Sequence, residues 1–401
     1  MRVEVCKWYG DALSPVVFMV DDFCNVWVDT NGNGQIDLGE DWGYAQRGPG
    51  SSLAFMEDQL LRDFPEVKVT FFVPVGVRAG VITNPQISAV AKMINSDQQA
   101  KDFFRSVGEN PRYEVAYHGT THGTPGPEAS DFVQEWATYQ NLAQAMETIS
   151  AGTEVFQEVF GFKPSGGKYC GYVTNSFSDL SIEQSGFVWW CRFSNVGLYE
   201  TKNCVIGGQD FNRLTNFDVK YFGSRPVVDI PTTLPGMLFN RLLDTNSPGL
   251  KSTLKRILKP ILLWRTMRHI DFLLQNRLVV SIQEHISPAR VDGRRQMPNI
   301  FDDLTSLRII LTRLNQYPVW YCTCSELASY VLLRDNIRIH IKSASDFHLE
   351  SSGVGRDKLT LKLYDCVAKA IVQPDGTIVP VLNQLADVKV MQGIYTIVAG
   401  G

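Results

Sequence analysis

At 401 residues, with 44% hydrophobic and 20% charged side chains and a net charge of -4, the chain has a folded protein's composition. That length holds one large core plus a smaller unit. It carries no global basic field to recruit nucleic acid, and its apolar runs are too short or too broken by charge to span a membrane. The eight cysteines form no regular framework, and the first five residues contain no signal-peptide core. Both point to reduced thiols in a cytoplasmic protein.

In chain order, the first apolar run, 16–20, reads as a strand buried on both faces and ends in Asp21-Asp22. In α/β folds catalytic groups gather at the C-terminal ends of parallel strands. Adjacent side chains diverge, so one carboxylate can bind a metal while the other faces water or substrate. The alternative is an Asx turn with a helix cap. Residues 29–40 then fit the twelve-residue calcium loop. Asp29, Asn31, Asn33, Gln35 (through its carbonyl), Asp37 and Glu40 are the ligand positions, and Gly34 makes the sharp turn. The preceding 25–28 reads as extended, so the loop is expected to be a structural calcium clip rather than a sensor. The alternative is an Asn/Gly-rich turn without an ion.

Ser51-Ser52 caps a helix with Leu53, Met56, Leu60 and Leu61 on its apolar side, and 67–75 is a second strand. A helix is expected over about 87–107. A third strand, 113–116, leads into His118 and His122, four residues apart, a spacing that suits two ligands of one metal ion. No Glu follows the first histidine, which excludes the HExxH helix. Residues 131–160 show helical spacing. Strand and helix alternate three times, which predicts a parallel α/β core of barrel type.

Asp21-Asp22 after an apolar strand, Thr70-Phe71-Phe72-Val73 as the next strand and His118-x-x-x-His122 after the third resemble the polysaccharide deacetylases. These are the NodB-like enzymes of carbohydrate esterase family 4, and the likeness covers roughly residues 10 to 335. The family's Thr-Phe before the paired aspartates is Met19-Val20 here, Phe23 replaces the following glycine, and Gly119 stands where serine or threonine is usual. The resemblance implies a distorted (β/α) barrel with Asp22, His118 and His122 as metal ligands and Asp21 as catalytic base. The metal would be zinc, or cobalt, nickel or manganese. The family's Arg-Pro-Pro-Tyr loop corresponds to 162–172, where arginine is absent. Lys163 or Lys168 would supply the charge that orients the base, and Tyr169 would line the cleft. The strand 278–285 ends in His285, which the resemblance makes the general acid for the leaving amine. The implied activity removes an N-acyl group, N-acetyl above all, from an amino sugar of a glycan or of a lipid- or nucleotide-linked precursor. Two alternatives stay open: a hydrolase of a non-sugar amide or ester, and a calcium-stabilised carbohydrate-binding protein without turnover.

An insertion of about 202–270 interrupts the family core. Its second half, 250–269, carries Lys251, Lys255, Arg256, Lys259, Arg265 and Arg268 among apolar residues, with no acidic residue. A basic amphipathic helix of this kind can lie on the inner membrane surface; the alternative is an outer helix packed on the barrel. From 336 the pattern alternates, which predicts a small antiparallel β domain, 336–401, after a barrel domain of 1–335.

Overall fold

The computed structural model describes residues 2–195, 213–243, 250–351, 358–364 and 367–400; the segments 202–212 and 244–249 of the expected insertion lie outside them. The seven residues Pro15–Asp21 form β1, buried throughout, as an uninterrupted apolar run requires of a central strand. Val69–Val73 (β2), Tyr113–Tyr117 (β3), Gly166–Lys168 (β4) and Trp189–Cys191 (β5) follow. Lys220–Phe222 (β6), Val227–Asp229 (β7), Leu234–Pro235 (β8) and Val280–His285 (β9) complete the main path. These nine, of ten strands in the sheet, lie in the order β6-β7-β5-β4-β3-β2-β1-β9-β8. All neighbours are parallel except β6, which runs antiparallel to β7. The expected distorted barrel is thus a curled parallel sheet that stays open between β6 and β8. The parallel arrangement brings the C-terminal ends of β1, β2, β3, β4 and β9 to one edge.

The crossovers are helical where capping and periodicity agree. Asp97 accepts from the Ala100 amide to start Gln98–Gly108, which buries Ala100, Phe103, Phe104 and Val107 along one stripe. Asn141 and Asn299 cap Leu142–Phe160 and Ile300–Leu314 in the same way. The helix expected from 87 begins only at Gln98. Residues Ala89–Ala91 instead pair antiparallel with Val26–Val28, so the Asp97 cap, rather than the apolar spacing before it, fixes the start.

The chain divides into two compact units, one of 16–317 with 321–324, the other of 1–15, 318–320 and 325–401. The boundary expected at 335 therefore falls earlier, and the first residues join the C-terminal unit. The cause is pairing: Arg2–Val5 lies antiparallel to Lys358–Tyr364, and Tyr330 and Leu333 enter the same core as Val3, Phe347 and Leu361. That unit holds the expected antiparallel sheets. One has three strands, Arg2–Val5, Lys358–Tyr364 and Leu385–Lys389; the other has five, drawn from 337–399. Leu359, Leu361 and Leu363 alternate inward, as a one-sided sheet demands.

Candidate active site

Strand ends supply the site. Asp21 is the last residue of β1, His118 follows β3, Lys168 ends β4 and His285 ends β9, directly beside Asp21 in register. They line one cavity of about 350 Å³ with Asp22, His122, Arg78, Tyr172, Gln283 and Gln296. Lys168 is the exception: it lies fully buried behind the wall.

Asp22 and His122 both adopt left-handed backbone, φ 62° and 72°. Side-chain-bearing residues hold that conformation only where surrounding contacts impose it. For His122 the imposing group is Glu135. Its buried carboxylate accepts from the amides of Thr120, Thr121 and His122 at 2.7 to 2.9 Å and from the Tyr139 hydroxyl at 2.8 Å. Gly119 follows from the same contact. It sits at φ +80°, and a Cβ there would lie 2.5 Å from a Glu135 oxygen, so no larger residue fits.

The two aspartates face different partners. Both Asp21 oxygens lie 2.9 Å from Lys168 Nζ, and Gln283 Nε2 donates to Oδ2 at 3.1 Å. Burial works against the Lys168 charge, but Asp21 outweighs it and raises the lysine above its ordinary pKa. Asp22 accepts from Arg78 Nη2 through Oδ2 at 2.7 Å. Its buried Oδ1 has no hydrogen-bond donor among the described residues, yet lies 3.6 Å from His118 Nε2 and 3.1 Å from His122 Nε2. Burial would raise the Asp22 carboxyl; the Arg78 guanidinium overcomes it and holds the group far below the usual carboxylate range. Burial lowers both His118 and His122, which keeps the imidazoles neutral. His118 Nδ1 donates to the Lys168 carbonyl at 2.9 Å, so its Nε2 carries the free lone pair.

This donor set fits a divalent metal ion. Ligands about 2.0 to 2.1 Å from a tetrahedral ion stand about 3.3 Å apart, and the Asp22 to histidine separations bracket that value. Cys170 Sγ also comes within 4.8 Å of both imidazoles, but it donates to the His118 carbonyl at 3.2 Å, and burial pushes its thiol pKa up. An ionised, unpartnered Asp22 oxygen is the better third ligand than a protonated thiol.

His285 Nδ1 donates to the Pro298 carbonyl at 2.7 Å. Its Nε2 lies 3.1 Å from the Gln296 amide and 4.0 Å from Asp22 Oδ2. Glu284, the next residue back, is buried on the other side of the strand, where burial pushes its carboxyl well up.

Two expected residues are not brought to the cavity. Lys163 is exposed, because it precedes β4 whereas Lys168 ends it. Tyr169 turns inward to donate to Asp179 at 2.7 Å and packs against Trp136 and Trp190, so Tyr172 lines the cleft in its place. Gly166 and Gly167 do not open the backbone to substrate. A Cβ on either would strike the Trp189 ring or the Tyr117 carbonyl at 2.1 to 2.2 Å, so they allow close strand packing. The sequence reading missed Arg78, Glu135, Gln283 and Tyr172. For Arg78 one signal existed: it lies in the loop leaving the C-terminal end of β2, where site residues collect.

The loop 29–40 is self-satisfied. Asp29 accepts from the amides of Asn33 and Gly34, and Glu40 from those of Thr30 and Asp37. Asp37 accepts from the side chains of Asn31 and Asn33, which hold its pKa below the usual value. The Gln35 side chain is exposed.

No protein-family model matches the chain, and no curated protein matches it. Among solved structures it is similar to a Mycobacterium smegmatis protein described as a polysaccharide deacetylase, with 16% identity over 82% of this chain and 93% of that one, TM-score 0.46. It is similar to the allantoinase PuuE, with 15% identity over 80% and 91%, TM-score 0.46. It is also similar to a family 4 acetyl xylan esterase from Clostridium thermocellum in complex with cobalt, with 11% identity over 79% and 91%, TM-score 0.35. None of these scores reaches 0.5, so the chemistry of the site stands on its own geometry.

Proposed function

We propose that the chain is a metal-dependent hydrolase that removes an N-acyl group, specifically N-acetyl, from an amino sugar of a glycan or glycan precursor. The observation that carries this reading is the buried, unpartnered Asp22 Oδ1 facing two neutral imidazoles, beside a second carboxylate held by a lysine. Asp22, His118 and His122 would hold the metal. When bound, a divalent ion supplies Lewis-acid polarisation of an acyl carbonyl. Asp21 takes the proton of the attacking water, and Lys168 and Gln283 fix its orientation. His285 gives a proton from Nε2 to the departing amine, its ring held by the Pro298 carbonyl. The cavity suits one sugar residue of a larger substrate better than a deep apolar ligand, since most of its lining is polar or charged.

The test is acetate release from N-acetylated glycans and from lipid- and nucleotide-linked amino sugars, using zinc-, cobalt- and nickel-loaded protein. Release is expected to vanish in His118→Ala and to fall about 10² to 10⁴-fold in Asp21→Asn with metal still bound. No release from any sugar by metal-loaded protein would reject the reading. One observation favours a second reading, glycan binding without turnover: Arg78 already balances Asp22, which weakens the site's pull on a dication. Failure to retain zinc after dialysis would favour it.

The loop 29–40 is further proposed to take calcium as a clip, on the strength of its ligand pattern. Calcium is then expected to raise the Tm of the wild type and not of Asp29→Ala. An unchanged Tm in saturating calcium rejects the clip.

A further inference from the structure

The Leu250–Gln275 helix buries Ile270, Leu273 and Leu274 in its last turns. Earlier along the same helix the usual order is inverted. Leu258, Ile261 and Trp264, three residues apart, are 36%, 61% and 63% exposed. That spacing sets them along one side. Arg265 and Arg268 share that exposed side by helical spacing, and the Arg268 guanidinium lies 5.5 Å from the Trp264 ring centre. Between Leu250 and Ile270 the sequence has six basic residues and no acidic one, although the whole chain is net negative. Beside Trp264 a groove of about 570 Å³ runs against the Ile300–Leu314 helix, with Leu263, Met267 and Ile309 in its lining. The expectation of an amphipathic helix is met only in this sense: its apolar residues are split between a buried end and an exposed face.

Water-exposed tryptophan and isoleucine cost free energy unless something covers them, and contiguous apolar surface of this kind marks a contact. The surrounding charge selects what that contact is. Two arginines beside an exposed Trp match a lipid interface, where the indole sits at headgroup depth and the cations meet lipid phosphates. Among the described residues no helix is long and apolar enough to cross a membrane, so the element lies on the surface.

We infer that this face docks on an anionic phospholipid bilayer, with Ile261 and Trp264 inserted and Arg265 and Arg268 on the phosphates. The docking does not rest on the hydrolase reading and is measured without substrate. Full-length protein is sedimented with vesicles of phosphatidylcholine alone or mixed with phosphatidylglycerol. Binding is expected only to the mixed vesicles and to weaken with salt. The charge-reversed variant Arg265→Glu/Arg268→Glu should bind them on the order of 100-fold more weakly. The double variant Ile261→Ser/Trp264→Ser should also lose binding while keeping its circular dichroism and Tm. No binding by the wild type overturns the inference, as does binding that both variants retain. Wild type that elutes as a dimer while the double variant elutes as a monomer, neither binding vesicles, assigns the face to a second copy and overturns it equally.

Discussion

Glu135→Ala is expected to cost about 3 to 6 kcal/mol of stability and to lower zinc affinity by about 10 to 100-fold. Among the described residues the carboxylate is the only acceptor for the amides of Thr120, Thr121 and His122, in the loop that carries both histidines. Removing it leaves three backbone donors without partners, each worth about 1 to 3 kcal/mol when buried. It also frees His122 from its left-handed backbone, so the two imidazoles no longer converge. Glu135→Gln separates charge from shape. With its nitrogen toward Tyr139, whose hydroxyl can turn to accept, the remaining oxygen still serves the amides of Thr121 and His122, and Thr120 keeps only the longer of its two bonds. That variant should lose only about 1 to 2 kcal/mol. Urea denaturation and calorimetric zinc titration check both. An alanine variant that binds zinc like the wild type would show that the loop does not depend on this carboxylate.

Lys168→Met is the second large effect. It leaves the buried Asp21 without its counter-charge, for which about 3 to 5 kcal/mol is expected. Lys168→Arg should not rescue it. The ammonium lies over the rings of Phe72 and Tyr172 at 4.8 and 4.9 Å in a fully buried slot, and a planar guanidinium needs more room. Adding Asp21→Asn to Lys168→Met should restore most of the stability, because a neutral amide needs no partner cation, but none of the acetate release. A double-mutant cycle by urea denaturation reads the coupling. Additive losses would show that the pair does not interact as its geometry implies.

The residues legible in the sequence are those that end apolar strands. Asp21, Asp22, His118 and His285 announce themselves because a buried strand stops at a polar group, and His122 follows by spacing. The lysine could be narrowed to Lys163 or Lys168 but not chosen: the choice depends on which lies before a three-residue strand and which ends it, and a Gly-Gly-Lys strand carries no apolar run to reveal it. Tyr169 and Tyr172 both look suited to a cleft until the turn between them sends one toward Asp179. Arg78 and Glu135 were hidden for another reason. Arg78 reaches Asp22 from a loop 56 positions away and Glu135 reaches His122 from a short helix 13 positions on, and no local period marks a residue whose partners are tertiary. The strand periodicity of the C-terminal unit was plain, whereas its recruitment of Arg2–Val5 was not, since that pairing spans most of the chain.

That last pairing has a consequence during synthesis. Arg2–Val5 leaves the ribosome about 350 residues before its partner Lys358–Tyr364. At about 5 to 20 residues per second, the first strand waits roughly 20 to 70 s with Val3 and its edge uncovered. The large parallel sheet between them can form during that interval, so the smaller unit closes last, across a chain already folded in its middle.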